Sequence, residues 1–235
     1  MSLGDGFTLA GYGSGIGIYL WASRRLWPAQ RTLWWQSLIV LAAGYMGGVS
    51  GAKAVQLLLG GWGPDALRVL SDPLAGGRTV LGGLLIGWAC VELAKWLLGL
   101  RGSTGGPFAL AIPAGEALGR IGCWLNGCCY GAVSGLPQGL PFTVYQHGAW
   151  RIPAQLYSSL AMLLLFAALL RLSRRAESAE LFRWFLLLYG GARFGLEFAR
   201  YRETLHYGLS LAQWVALELA LAGGIALAVT RRGTA

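Results

Sequence analysis

The sequence predicts an all-α fold, a polytopic membrane protein built as a bundle of seven transmembrane helices. Two observations support this prediction. The chain has 235 residues, of which 55% are hydrophobic and only 12% are charged, whereas soluble domains carry about 25% charged residues. The apolar residues are gathered into seven segments, each close to the roughly 20 residues that a helix needs to cross a hydrocarbon core. We therefore expect residues 1–235 to form a single integral membrane domain.

The seven expected spans follow one another along the chain. They lie near residues 8–22, 34–59, 79–99, 106–126, 153–171, 181–198 and 209–230. The first is the shortest and is rich in glycine. Because no basic stretch precedes it and no small-residue cleavage site follows it, we expect it to be retained as a helix. The connections 60–78 and 127–152 are long and rich in Gly and Pro, which predicts irregular loops.

The distribution of basic residues predicts the orientation of the bundle. Eleven of the 19 Lys and Arg residues flank the first, third and fifth connections and the C-terminal tail, and five lie at the opposite ends of the helices. Cytoplasmic loops carry the excess of Lys and Arg, so we expect an external N-terminus and a cytoplasmic C-terminus. The net charge of +9 does not indicate a nucleic-acid partner, because the basic residues form no long stripe.

Charged residues inside the apolar segments are the first functional candidates. Arg120 and Arg193 lie within spans, and a charge at the centre of a membrane costs about 2.5–3.5 kcal/mol on insertion scales. Glu116 precedes Arg120 by four residues and Glu197 follows Arg193 by four, so each pair shares a helix face. Tyr189 lies one turn before Arg193. These pairs either lock helices together or hold two guanidiniums ready for the phosphate of a lipid headgroup.

The four cysteines give no clear chemical signal. Cys123, Cys128 and Cys129 lie close together in sequence but do not follow the repeated spacing of a zinc site. A disulfide on an oxidising external side and burial as small apolar groups both remain open. Cys90 lies in the middle of a span, where we expect it to pack. The sequence therefore predicts no metal and no cofactor.

Four sequence motifs occur in order along most of the chain. The first, Gly119–Gly131, reads GRIGCWLNGCCYG. The others are Arg151–Tyr157 (RIPAQLY), Tyr189–Phe198 (YGGARFGLEF) and Leu209–Trp214 (LSLAQW). In residue types and spacing, these motifs resemble those of the bacterial prolipoprotein diacylglyceryl transferases.

The resemblance implies an activity, a location and a set of site residues. That family transfers a diacylglyceryl group from phosphatidylglycerol to the lipobox cysteine thiol of a prolipoprotein, forming a thioether and releasing glycerol 1-phosphate, in the bacterial cytoplasmic (inner) membrane. The implied partners are phosphatidylglycerol, the prolipoprotein signal peptide with its lipobox, and membrane lipids. The implied catalytic residues are Arg120, Arg193 and Glu197, and the implied substrate-binding residues are Tyr12, Asn126, Gly131, Gln155 and Tyr189.

The chain departs from the family's pattern at positions that bear on the reaction. Leu81 stands where the family has a histidine, and Cys123 and Cys128 stand where it has an asparagine and an acidic residue. Leu81 removes a proposed proton acceptor and leaves no obvious base. Two other functions stay open, the first because of these departures and the second because charges within spans also mark conduction paths. One is the same fold acting on another acceptor or binding lipid without catalysis, and the other is a small-solute transporter.

Overall fold

The computed structural model describes residues 2–26, 34–60, 80–134, 143–200 and 207–232. They belong to two compact units, which are considered separately. The first combines Met1–Leu26 with Ser103–Ala235, and the second is Trp27–Gly102. The predicted all-α class is confirmed, since helices account for most of the described residues.

Seven α-helices lie in the described part of the chain, in the order that the apolar segments predict. They are α1 (Leu3–Leu26), α2 (Trp34–Gly60), α3 (Val80–Leu97), α4 (Gly105–Leu125), α5 (Ala154–Leu172), α6 (Ser178–Leu196) and α7 (Leu211–Arg232), and a 3-10 turn, Glu197–Ala199, follows α6. The expected first helix, 8–22, was too short, because α1 continues through flanking polar residues at both ends. By length and composition, Ala154–Leu172 and Leu211–Thr230 are long and apolar enough to cross a membrane.

Glycines let α1 and α4 pack in backbone contact within the first unit. A Cβ added to Gly11 would lie 2.7 Å from the carbonyl oxygen of Gly115, and one on Gly122 would lie 2.7 Å from that of Gly4. Low residue numbers on α1 meet high numbers on α4, so the two helices are antiparallel. Small residues at helix contacts allow this approach in membranes, where apolar side chains gain little by associating.

The helices α4, α5 and α6 surround the apolar core of the first unit. Leu110, Met162, Leu169 and Leu181 are almost completely buried there, and Phe185 is 5% exposed. Within this core, α4 and α6 run in the same direction. The amide of Gly106 donates to Ser178 Oγ at their N-terminal ends, so their C-terminal ends also lie at one end of the unit.

The connection 127–152 is more regular than expected. Its described part contains an antiparallel hairpin of β1 (Val144–Gln146) and β2 (Ala149–Arg151). The two turn residues have positive φ, 51° at His147 and 74° at Gly148, as in the type I′ turns that suit hairpin twist. The prediction of an irregular loop was wrong here, because a three-residue strand is too short to produce a visible alternation. The other long connection, 60–78, lies outside the described residues except for Gly60.

The second unit contains α2 and α3, which also meet through glycine. A Cβ on Gly47 would lie 2.7 Å from the Cys90 sulfur, and one on Gly87 would lie 3.2 Å from the carbonyl of Gly44. Cys90 therefore packs at a helix contact, as expected. Lys95 forms a 2.9 Å ion pair with Glu92, whose side chain is about half exposed.

The glycine contact between α1 and α4 can be tested by two matched substitutions. Gly11→Ala places a methyl group against the Gly115 carbonyl and the Gly119 amide, and overpacking typically costs about 1–3 kcal/mol. In Gly13→Ala the new methyl group meets no described atom within 4 Å, and alanine has the higher helix propensity. We expect a lower melting temperature in detergent for Gly11→Ala and an unchanged or higher one for Gly13→Ala. Equal behaviour of the two variants would contradict this packing.

Candidate active site

One carboxylate joins α4 to α6. Arg120 donates from Nε and Nη2 to Glu116 Oε1, at 3.1 and 2.8 Å. The other oxygen of Glu116 accepts a 3.0 Å hydrogen bond from the Tyr189 hydroxyl. Both side chains of the ion pair are 18% exposed, so the pair lies at the edge of the core. The arrangement fixes the direction of the guanidinium and leaves its Nη1 outside the pair.

A second ion-pair cluster lies where α6 ends. Arg193 Nη2 lies 3.1 Å from Glu197 Oε2, and Arg200 Nη1 lies 3.7 Å from the same atom. Ser210, just before α7, donates to the other oxygen of Glu197 at 3.4 Å. Arg193 Nη1 is buried and has no hydrogen-bond partner among the described residues. This guanidinium therefore keeps a donor that a bound anion would satisfy.

The two clusters act on each other electrostatically. Burial, and then the positive charges of Arg193 and Arg120, lower the pKa of Arg200. Three guanidiniums thus share one region with the carboxylates of Glu116 and Glu197, which leaves an excess of positive charge. Such a region is suited to bind an anion, because a guanidinium fork fits two phosphate oxygens at once.

The loop after α4 is held to the end of α6. Gly131 pairs with Arg200 in an isolated bridge, and a Cβ on Gly131 would meet the carbonyl oxygen of Ala199 at 2.7 Å. Only glycine allows this approach of the two backbones. Arg151 donates to the Gly131 carbonyl at 3.2 Å, and its guanidinium stacks over the Tyr130 ring at 4.4 Å. The loop and the hairpin are therefore held in a fixed position next to Arg200.

Two of the expected substrate-binding residues have structural partners. Asn126 donates to Asp5 Oδ1 at 3.1 Å and accepts from the Ser2 hydroxyl at 2.7 Å, so it ties the end of α4 to the start of α1. Gln155 is 1% exposed and donates to the carbonyl of Cys128 at 2.9 Å. Asn126 therefore joins two helix ends through side-chain contacts, and Gln155 fixes the backbone after α4.

Tyr12 and Leu81 are two further residues that the sequence singled out. Tyr12 follows Gly11 on α1 and is 56% exposed, and among the described residues it makes no hydrogen bond to either arginine. Leu81 lies in α3 of the second unit, and its side chain is outside the described part of the structure.

Three contacts of the site are not predicted by the sequence motifs. Tyr189 is turned toward Glu116 on another helix rather than only toward its neighbours on α6. Arg200 looks like an ordinary flanking cation, and Ser210 lies in the Leu209–Trp214 motif without being distinguished there as a site residue. Only the four-residue separation of Glu116 and Arg120 pointed to the shared carboxylate.

The three neighbouring thiols converge beside the arginines. The Sγ atoms of Cys123, Cys128 and Cys129 all lie within 4.8 Å of one another. A hydrogen bond from Cys123, and then the charges of Arg120 and Arg200, lower the pKa of Cys129 below that of an ordinary thiol, although desolvation opposes the shift. Desolvation raises the pKa of Cys128.

Comparison with known proteins now settles the family. The family model described as prolipoprotein diacylglyceryl transferase matches residues 7–229. The chain belongs to this family. The resemblance seen in the four motifs is thereby confirmed.

Curated relatives carry the corresponding name. A phosphatidylglycerol–prolipoprotein diacylglyceryl transferase of Dehalococcoides mccartyi is 35% identical over 128 residues, which cover 51% of this chain and 47% of the relative. The protein of the same name from Clostridium tetani is 33% identical over 171 residues, covering 67% of this chain and 65% of the relative. The one from Cupriavidus necator is 36% identical over 159 residues, covering 63% and 57%. The chain thus spans between about half and two thirds of these relatives.

The link from Tyr189 to Glu116 yields a stability prediction. Tyr189→Phe removes one hydrogen bond to a carboxylate, an interaction worth about 1.5–3 kcal/mol, and keeps the ring that packs 5.1 Å from Phe185. We expect a melting temperature several degrees below that of the unmodified chain. Tyr145→Phe is the control, because Tyr145 is 61% exposed. Equal melting temperatures for the two variants would contradict the link.

Proposed function

We propose that this chain transfers the diacylglyceryl group of phosphatidylglycerol to the lipobox cysteine thiol of a prolipoprotein. It would do so as a single multi-pass domain of the bacterial cytoplasmic (inner) membrane, with seven spans and an external N-terminus. Membership of the family supports the reaction. The observation that carries the proposal is the cluster of Arg120, Arg193 and Arg200, which has an excess of positive charge and an unused buried donor on Arg193.

The contacts at one end of the first unit are consistent with the proposed topology. The ends of α4 and α6 meet there through Gly131 and Arg200, and the start of α5 joins them through Gln155 and Cys128. Asp5, near the start of α1, meets the same end through Asn126. An up-and-down bundle with an external N-terminus gathers these termini on the external side, where the headgroups of the outer leaflet lie.

The proposed step is a displacement at the glyceryl carbon. The sulfur of the acceptor attacks the carbon that carries the phosphate ester, a C–S bond forms, and the C–O bond breaks. Its electron pair leaves with glycerol 1-phosphate, whose phosphate gains a negative charge. Arg120 and Arg193 would bind that phosphate and stabilise the charge as it develops. Glu116 and Glu197 would fix the directions of the two guanidiniums, as the ion pairs at 2.8 and 3.1 Å indicate.

Other residues would shape the site around the lipid. Tyr189 holds Glu116, and Asn126 holds the start of α1 through the Asp5 side chain. Gln155 holds the backbone at Cys128, and Gly131 allows the close approach of the loop to α6. Tyr12 would contact the substrate from α1. The acceptor thiol must lose its proton to attack. Because Leu81 stands in place of the family's histidine, that proton would pass to solvent or to a group close to the thiol.

The same site also fits a second candidate function. The replacement of the family's histidine by Leu81 favours the same fold acting on a different acceptor, or binding lipid without transfer. Complementation separates these functions. A strain depleted of its own transferase should recover the gel mobility of mature lipoproteins when it expresses this chain. Expression in the membrane without any recovery would contradict the proposal.

Arg120 provides the first site prediction. Arg120→Lys keeps the charge but loses the fork that binds two oxygens, so transfer from labelled phosphatidylglycerol should fall by roughly 100-fold, the loss typical of a removed transition-state donor. Arg174→Lys is the matched control, because Arg174 is exposed. Near-normal transfer by purified Arg120→Lys and Arg120→Ala would exclude Arg120 from the site.

The Arg193–Glu197 pair distinguishes a catalytic role from a structural one. Glu197→Gln should destabilise the bundle by a few kcal/mol at most, because it leaves two partly buried guanidiniums without their shared carboxylate. Adding Arg193→Gln should restore much of the stability while transfer stays near background. Melting temperature in detergent and transfer from labelled lipid are measured on both single variants and the double variant. A stable and active double variant would show that the pair is only structural.

A further inference from the structure

The backbone conformation at the C-terminal end of α4 brings three thiols together. Gly127 has a φ of +64°, and its amide donates to the Trp124 carbonyl at 3.1 Å. The next amide, that of Cys128, donates to the Cys123 carbonyl at 3.0 Å. These two bonds define a Schellman motif, in which the side chain two residues beyond the cap packs on the third residue from the helix end. The two side chains concerned are Cys128 and Cys123.

A second turn of the backbone adds the third thiol. Cys129 has a φ of 55°, a left-handed conformation that costs a non-glycine residue about 1–2 kcal/mol. Adjacent side chains in an extended chain point to opposite sides. The left-handed residue instead lets Cys128 and Cys129 lie on the side of Cys123, with all three Sγ atoms within 4.8 Å of one another. Strain of this kind is concentrated at functional sites.

A buried hydrogen bond fixes the backbone of the three-cysteine cluster, and its side chains are accessible to solvent. The buried Gln155 amide donates to the Cys128 carbonyl at 2.9 Å, which fixes the turn on α5. The side chains of Cys128 and Cys129 are exposed, and that of Cys123 is partly exposed. An ordinary hydrophobic contact at a helix end would bury its side chains, so apolar packing does not account for three converging, accessible sulfurs.

We propose that Cys123, Cys128 and Cys129 bind a thiophilic d10 metal ion, Zn²⁺ or Cu⁺, through three thiolates. A metal–sulfur bond of about 2.3 Å places tetrahedral ligand sulfurs roughly 3.8 Å apart, and the three sulfurs observed here all lie within 4.8 Å of one another. Each thiol loses its proton to solvent as its sulfur bonds to the metal. A fourth position stays open to water or an external ligand.

The surroundings agree with an anionic metal centre. Three thiolates with Zn²⁺ carry one negative charge, and with Cu⁺ two. The guanidiniums of Arg120 and Arg200 act electrostatically on Cys129, so they favour a complex of this sign. His147 does not complete the site through Nε2, because that nitrogen lies 2.6 Å from the Gly127 carbonyl, which can only accept a hydrogen bond.

The metal would act as a structural cross-link and would take no part in the chemical step of the proposed transfer reaction. It would join the last turn of α4, the helix that carries Arg120, to the turn that Gln155 holds. Metal binding to the folded state alone stabilises it by mass action. The three cysteines do not follow the sequence spacing of conventional zinc sites. Here the glycine that ends the helix, and not a CxxC loop, brings the sulfurs together.

The test uses the full chain in detergent with a non-thiol reductant. Co²⁺ is added as a spectroscopic substitute for Zn²⁺, and Cu⁺ is supplied from a competing chelator. We expect one ion per chain, thiolate-to-cobalt charge-transfer absorption that Zn²⁺ abolishes, a higher melting temperature, and protection of three of the four thiols from alkylation. Cys128→Ser and Cys129→Ser should each weaken binding at least about tenfold, whereas Cys90→Ser, the control, should bind like the unmodified chain.

Two results would overturn the inference. One is binding of neither Zn²⁺ nor Cu⁺ beyond that of the Cys123→Ala/Cys128→Ala/Cys129→Ala variant. The other is metal binding without thiolate absorption and without protection of the thiols. Should the triple variant fail to fold, the alkylation pattern of the unmodified chain with and without a chelator decides the question.

Discussion

The carboxylate of Glu116 is the interaction on which the rest of the site depends. One of its oxygens holds Arg120 on the same helix, and the other holds Tyr189 on α6. An arginine near the apolar interior is costly unless it is paired, and this carboxylate both pairs it and sets its direction. The same bond fixes the register of α4 against α6. That register brings Arg193 and Arg200 into the electrostatic neighbourhood of Arg120.

The charges of the site are incompletely compensated, which is what a site for an anion requires. Glu197 is shared by Arg193 and Arg200, and Glu116 serves Arg120 alone among the three arginines. A purely structural network would be expected to satisfy its buried donors. The buried Nη1 of Arg193 has no hydrogen-bond partner among the described residues. A phosphate bound between the arginines would satisfy that donor and offset the excess charge.

Sequence patterns predicted the parts of this structure that depend on local periodicity. Apolar runs located all seven described helices, and the four-residue spacing predicted the contacts of Glu116 with Arg120 and of Arg193 with Glu197. Contacts between distant segments were not predictable in this way. The hydrogen bond from Tyr189 to Glu116 was not predicted, because spacing on one helix says nothing about the helix opposite. The hairpin and the three-thiol turn were missed because each depends on a few backbone angles, such as the positive φ of Gly127 and Cys129.

The most direct test of the central claim is the chemical identity of the product. The purified chain is incubated with phosphatidylglycerol vesicles and a synthetic lipobox peptide, and the peptide is analysed by mass spectrometry. The account predicts a peptide whose cysteine carries one diacylglyceryl group in a thioether that resists hydroxylamine, together with an equal amount of glycerol phosphate. An unmodified peptide, or a hydroxylamine-sensitive acyl thioester without glycerol phosphate, would contradict it.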